Sequence, residues 1–377
     1  MSESRDRIIS GRAMDEDSQL EASIRPRQFS DYIGQDHVKE NLQIAVQAAR
    51  KRGEVLDHVL LYGPPGLGKT TLADILASEM GVGITTSSGP MLEKKGDLTA
   101  VLTSLDDQEV FFLDEIHRLQ PALEEILYPA MEDFRIDLIM GQGAGARVHA
   151  CALRPFTLVG ATTRAGLVMA PLRSRFGIVH RLDFYTPADL KKIITRSAKI
   201  LGVVVEEDGA NEIARRSRGT PRVANRLLRR ARDFAQVRAE GHITLSVARD
   251  ALAMLGVDEH GLDEVDRNLL RTIIENFSGG PVGLNTIAAS LSEEEDAIED
   301  IYEPYLMRQG LLARTPRGRI VTGAAYKLLG IKEPRKRSWE NDVSNLQPEL
   351  PLDGTSVESV PQETSEPMTR AKAGKVG

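Results

Sequence analysis

Apolar residues along this chain follow two spacings. One is the short unbroken run: Asp57-His-Val-Leu-Leu-Tyr62 ends in a glycine-rich turn, Val110-Phe-Phe-Leu113 ends in two carboxylates, and Phe156-Thr-Leu-Val159 ends in glycine and hydroxyl residues. Runs this short, without alternation, predict parallel strands covered on both faces. The other spacing is helical. Directly after the first run, residues Thr70 to Glu79 bring Leu72, Ile75 and Leu76 to one side, so strand, loop and helix follow in order. The first part of the chain therefore reads as an α/β, doubly wound parallel-sheet domain.

Within that domain, Arg135-Ile-Asp-Leu-Ile-Met140 and Ala146-Arg-Val-His-Ala150 flank Gly141-Gln-Gly-Ala-Gly145, the pattern of a projecting β-hairpin. From Pro187 to about Gly256 the spacing turns helical and arginine-rich, with Asp189 to Leu201, Asn211 to Arg218 and Arg222 to Arg238 as its clearest helices. That predicts a small helical second domain. The segment from Gly256 to Gly261 breaks the pattern. Three helices (Asp263 to Glu275, Leu284 to Leu291, Asp296 to Gln309) and a strand-turn-strand over Leu311 to Val321 then follow, which is a winged-helix arrangement. After Gly330 the residues become polar and rich in Pro, Glu and Ser, with only Trp339 as an aromatic. Too little apolar surface remains there to offset ordering entropy, and a disordered tail to Gly377 is expected.

Composition narrows the setting. The 377 residues are 41% hydrophobic, enough for genuine cores in two or three domains. No apolar run has the length of a membrane span, and Met1 to Glu21 is polar and charged, so no membrane association and a cytoplasmic location are expected. The single cysteine, Cys151, reads as a passive small residue. A formal net charge of -7 means that contact with nucleic acid must come from a local basic cluster.

Gly63-Pro-Pro-Gly-Leu-Gly-Lys-Thr70 satisfies the spacing G-x-x-x-x-G-K-[ST] and sits between a strand and a helix, as a phosphate cradle requires. Its glycines let backbone N–H groups converge on phosphates. Lys69 reaches the β and γ oxygens, Thr70 ligates Mg²⁺, and Thr71 adds a hydroxyl toward the α-phosphate. The pattern arises by chance on the order of one time in a hundred in a chain of this length, which favours the functional reading.

The strand Val110 to Leu113 delivers Asp114 and Glu115 beside that cradle. A lone Asp-Glu pair is usually solvated surface. Next to a P-loop it completes a hydrolysis site, with Asp114 holding Mg²⁺ through water and Glu115 polarising the attacking water. Gly160-Ala-Thr-Thr-Arg164 ends the third strand with Thr162 and Thr163, hydroxyls suited to sensing a γ-phosphate. Pro171-Leu-Arg-Ser-Arg-Phe-Gly177 offers Arg173 and Arg175, either of which could face outward as an arginine finger in a neighbour's site. Gly219-Thr-Pro-Arg222 begins a helix with proline at its first position, which puts Arg222 in the first turn, directed at the nucleotide.

In this order the motifs resemble the AAA+ ATPases. Ile24-Arg-Pro, Tyr32-Ile-Gly-Gln35, Asp114-Glu-Ile-His-Arg-Leu119, Leu127-Tyr-Pro-Ala-Met-Glu-Asp133, Gly160-Ala-Thr-Thr-Arg-Ala-Gly166, Gly219-Thr-Pro-Arg-Val-Ala-Asn-Arg226 and Arg314-Thr-Pro-Arg-Gly-Arg319 resemble the RuvB family within that class, from about residue 20 to about 331. The resemblance implies an AAA+ P-loop ATPase domain at 1–185, a helical lid at 186–256 and a winged-helix DNA-binding head at 257–332; the disordered tail expected at 333–377 has no counterpart in it. It implies ATP and Mg²⁺ as cofactors, homohexameric rings on double-stranded DNA at Holliday junctions, and work alongside RuvA and RuvC in recombination and repair. Nucleotide contacts carried across by position are Ile24, Arg25, Gly66, Lys69, Thr70, Thr71, Glu132, Asp133, Phe134, Arg175, Tyr185 and Arg222. Arg175 is then the finger, Arg314 and Arg319 touch DNA, and the hairpin around Gly141 to Gly145 docks RuvA.

Two other function classes compete. A protein-remodelling ATPase would be expected to carry an aromatic pore loop and a recruiting domain instead of a wing, and a non-catalytic DNA-binding regulator has no use for Lys69, Asp114, Glu115 and Arg175 together. The basic turn at Arg314, Arg317 and Arg319 favours a DNA translocase.

Overall fold

The computed structural model of the chain describes residues 23–140 and 147–333, the side chains at 138–140 and 147–148 excepted. The polar N-terminus, the hairpin tip at 141–145 and the tail from 334 lie outside the described residues. Everything below belongs to the unit that ends at Ile331.

The helix α1 (Asp36–Arg52) leads into strand β1 (Val59–Tyr62), and α2 (Lys69–Met80) leaves the turn at its end. There follow β2 (Ile84–Ser88), α3 (Lys95–Ser104), β3 (Val110–Asp114), α4 (Pro121–Glu132), the hairpin β4 (Arg135–Met140) and β5 (Arg147–Ala152), β6 (Thr157–Thr162), the short α5 (Ala170–Arg173) and β7 (Ile178–Arg181). Five of these strands form one sheet in the order β2-β3-β6-β1-β7, and every pairing is parallel.

The strands are apolar without alternation because both faces of the sheet are covered. In β1, Val59 and Leu61 enter the core on one side while Leu60 enters the core on the other. Phe112 and Phe111 split the same way in β3. Burial on both faces drives this layering. The order also places β6 between β3 and β1, with Gly160 level with Leu113 and Thr162 level with Tyr62. The carboxylate pair, the two threonines and the glycine-rich turn thus emerge side by side at the carboxyl ends of adjacent strands, where ligands bind in open α/β sheets.

The lid is α6 (Pro187–Ile200), α7 (Glu207–Arg216), α8 (Pro221–Arg238) and α9 (Leu245–Met254), with the short pair β8 (Val204–Val205) and β9 (His242–Ile243). Its buried Leu190, Ile194, Leu227 and Leu228 join the core on the β1 side of the sheet. The final domain has its own core. It comprises α10 (Glu264–Phe277), α11 (Leu284–Leu291), a third helix α12 and the wing strands β10 (Leu312–Thr315) and β11 (Gly318–Val321), closed by α13 (Gly323–Leu328). The third helix runs Glu295–Ala297, a π turn Ile298–Tyr302, then Glu303–Arg308. Lid and head are tied by Arg218, whose guanidinium lies 2.5 Å from the fully buried Asp266 carboxylate, 2.7 Å from Asp263 and 5.2 Å from the Tyr305 ring centroid.

Candidate active site

The turn after β1 needs its glycines. Gly63 has φ 142, and a Cβ there would meet the Leu182 carbonyl oxygen at 2.5 Å; Gly66 has φ 80 and lies against Arg222, whose Cβ a side chain would meet at 3.0 Å. Only glycine combines those torsions with that close approach. Helix α2 starts at Lys69 itself, so the backbone N–H groups of its first turn point toward the cradle.

That cradle opens into a cavity of about 280 Å³ lined by Ile24, Arg25, Gly66, Lys69, Thr70, Thr71, Asp114, Glu115, Thr163, Tyr185 and Arg222, among others. Arg222 stands in the first turn of α8, behind proline at the helix start, so the lid forms one wall. Arg196 and Asn225 also line it from the lid. Sequence reasoning missed both, although Asn225 follows Arg222 by three residues and so shares its helical face. Arg196 donates to the Ile24 carbonyl at 2.7 Å, which fastens the N-terminal segment over the opening. The floor is aromatic: the Tyr185 hydroxyl donates to Tyr32 at 2.9 Å, and burial pushes the Tyr185 phenol up to about 12.

Lys69 is 8% exposed and donates to the carbonyls of Gly63 at 2.8 Å and Pro64 at 3.0 Å. Burial pushes its ammonium down to about 8, against the opposing pull of Asp114. The Asp114 carboxylate accepts from the backbone of Glu115 at 2.9 Å. Glu115 itself has φ 48, a conformation that non-glycine residues seldom adopt and that recurs at catalytic positions. Its carboxylate faces Arg118 at 3.3 Å.

The two threonines of β6 part company. Thr162 is 1% exposed; its hydroxyl accepts from the backbone of Arg164 at 2.9 Å and lies 2.9 Å from His117 Nδ1. It braces the loop after β3 from behind. Thr163 faces the cavity.

Glu132, Asp133, Phe134 and Arg175 are not brought into the cavity of their own chain. Arg175 sits 4.5 Å over the Tyr128 ring, 3.2 Å from the Glu132 carboxylate, and donates to the Pro171 carbonyl at 2.6 Å. Phe134 packs edge-on to Phe156 with centroids 5.9 Å apart. Arg173 ends α5 and is exposed. In the wing, Arg314 and Arg319 stand directly opposite each other across β10 and β11. Both reach Glu303, at 2.8 Å and 3.1 Å, and Arg314 also reaches Glu299 at 2.7 Å. Alternation along a strand would pair Arg319 with Arg317; the turn after Thr315 pairs it with Arg314 instead, and Arg317 is exposed at the tip.

Three family models match successive parts of the chain between residues 24 and 330. The model described as the Holliday junction DNA helicase RuvB P-loop domain matches residues 24–182, the RuvB AAA lid domain matches 185–258, and the RuvB C-terminal winged helix domain matches 259–330. A curated relative, the Holliday junction branch migration complex subunit RuvB of Koribacter versatilis (strain Ellin345), is 61% identical over 336 residues, which is 89% of this chain and 93% of that protein. Among solved structures, the Thermotoga maritima RuvB Holliday junction branch migration motor is similar with a TM-score of 0.76 at 53% identity, covering 83% of this chain and 100% of that one. A point mutant of the same protein gives 0.77 at 54% identity, covering 82% and 100%.

Proposed function

The chain belongs to the RuvB family of P-loop ATPases, and from that premise we propose that it is an ATP-driven motor that moves duplex DNA through a Holliday junction, driving branch migration in recombination and repair. The observation that carries this reading is the single cavity shared by Lys69, the Asp114–Glu115 pair, Thr163 and the lid's Arg222, in a chain whose last domain is a winged helix with arginines on its wing.

Lys69 neutralises the β and γ oxygens of ATP, and Arg222 ties the lid to the terminal phosphate. Thr70 and Asp114 supply a hydroxyl and a carboxylate, hard oxygen donors that fit Mg²⁺, an ion that takes few protein ligands and keeps phosphate oxygens and water. That ion would draw charge from the leaving phosphates. Glu115 takes up the attacking water's proton, and Thr163 senses whether the terminal phosphate is present. Arg175, turned away from its own cavity, completes the site of the next subunit in a homohexameric ring. Arg314 and Arg319 contact DNA phosphates, which carry no sequence information, as a motor passing over any DNA requires. RuvA docks on the hairpin around Gly141 to Gly145, RuvC follows as the resolving partner, and the setting is the cytoplasm. Among the described residues no helix is long and apolar enough to cross a membrane.

The test separates binding from chemistry. Lys69→Ala is expected to lose ATP binding, while Glu115→Gln keeps binding and falls far below the parental turnover. Parental turnover in Glu115→Gln would remove Glu115 as the base.

A further inference from the structure

A cluster of charges joins the nucleotide cavity to the winged-helix domain. The third helix of that domain carries Asp296, Glu299 and Asp300, and so acidic a surface repels phosphate. It faces the end of β6 instead. The Arg164 guanidinium lies 2.9 Å from Asp296, 3.3 Å from Glu299 and 3.0 Å from Asp300. The Thr163 hydroxyl donates to the other oxygen of the Asp300 carboxylate at 3.2 Å. Asp300 belongs to the π turn Ile298–Tyr302, a rare distortion that often marks a functional position.

The consequence follows from hydroxyl chemistry. Thr163 has one proton, and while Asp300 accepts it, only oxygen lone pairs face the cavity. Lone pairs can accept from water but oppose phosphate oxygens, and the carboxylate adds a negative field near Lys69, whose ammonium senses Asp300. We propose that Asp300, contributed by the winged-helix domain, is a positioning residue of the ATPase site: when docked it holds Thr163 as an acceptor and disfavours a triphosphate relative to a diphosphate. Withdrawal of α12 frees the hydroxyl to donate to the terminal phosphate. Glu299 in the same turn bridges Arg164 to Arg314 on the wing, so head position and nucleotide state are read at one place.

This inference rests on the reading of the cavity as an ATP site, and the experiment keeps the two apart. With the full chain and Mg²⁺, the affinities for AMP-PNP and ADP are measured for the parent, Asp300→Asn, Thr163→Val and the double variant. The amide keeps the shape but cannot accept from both Arg164 and Thr163. Asp300→Asn is expected to raise the triphosphate-to-diphosphate affinity ratio roughly fivefold, the worth of one neutral hydrogen bond. In the Thr163→Val background the same change raises the ratio by less, because only the loss of the carboxylate's field remains. Asp296→Asn, which weakens an ion pair to Arg164 and leaves Thr163 untouched, keeps the parental ratio. An unchanged ratio in Asp300→Asn, the same rise without the Thr163 hydroxyl, or an equal rise in Asp296→Asn overturns the proposal; Asp300→Ser serves if Asp300→Asn does not fold. A parent that binds neither nucleotide would overturn the ATPase reading instead.

Discussion

At the scale of single residues, the chemistry of the site is set by who is buried and who is exposed. Lys69 is the clearest case, an ammonium driven down to about 8 by burial. In the free protein above pH 8 this group is largely neutral, and bound polyphosphate draws its protonated form back. Nucleotide binding is therefore expected to take up a proton at pH 8.5 and to weaken as pH rises beyond about 8, with neither effect at pH 6.5. Calorimetric titration in buffers of different ionisation enthalpy measures this directly; a heat independent of buffer at pH 8.5 would show Lys69 already charged. Residue identity alone could not separate Thr162 from Thr163, because both close the same strand. Burial separates them, since Thr162 spends its hydroxyl on His117 and the Arg164 backbone. Asp300 was equally illegible, since it lies 137 residues beyond Thr163.

At the scale of elements, the strands that carry motifs were legible because they are apolar on both faces. The edge strand β2 was not: Ile-Thr-Thr-Ser-Ser is mostly polar and only half-buried, and alternation or apolar runs are what sequence reading detects. The wing was legible as a basic turn, yet its electrostatics were not. Arg314 and Arg319 neutralise Glu303, which is 1% exposed. Removing both guanidiniums leaves a buried carboxylate uncompensated, at a cost of about 3–5 kcal/mol. Arg314→Ala with Arg319→Ala is thus expected to destabilise the head as well as weaken DNA binding. Adding Glu303→Gln removes the orphaned charge: the triple variant should recover thermal stability while duplex binding stays weak, with the salt slope lowered by about 0.9 for each DNA phosphate that is no longer neutralised. Duplex affinity and salt slope at the parental values in that stable triple variant would take these arginines out of the DNA interface.

At the scale of the whole molecule, the proposed finger lies outside the cavity of its own chain. Arg175 is held by Tyr128, Glu132 and Pro171 away from the cavity that holds Lys69, which supports its action on a neighbour. Arg175→Ala is expected to lower turnover by roughly 10³-fold or more with ATP affinity little changed. Mixing it with Lys69→Ala subunits should restore part of the activity, because some mixed interfaces then pair an intact cradle with an intact finger. Turnover that stays at zero across all mixing ratios would speak against shared sites. The central claim, that hydrolysis in this cavity moves DNA, is tested most directly on a synthetic four-way junction whose arms can migrate to separated duplexes, with and without RuvA. The parental chain with ATP and Mg²⁺ is expected to convert the junction, faster with RuvA present, whereas Glu115→Gln binds ATP and the junction and converts none. Conversion by Glu115→Gln at the parental rate, or none by a parent that hydrolyses ATP on that junction in the presence of RuvA, would contradict it.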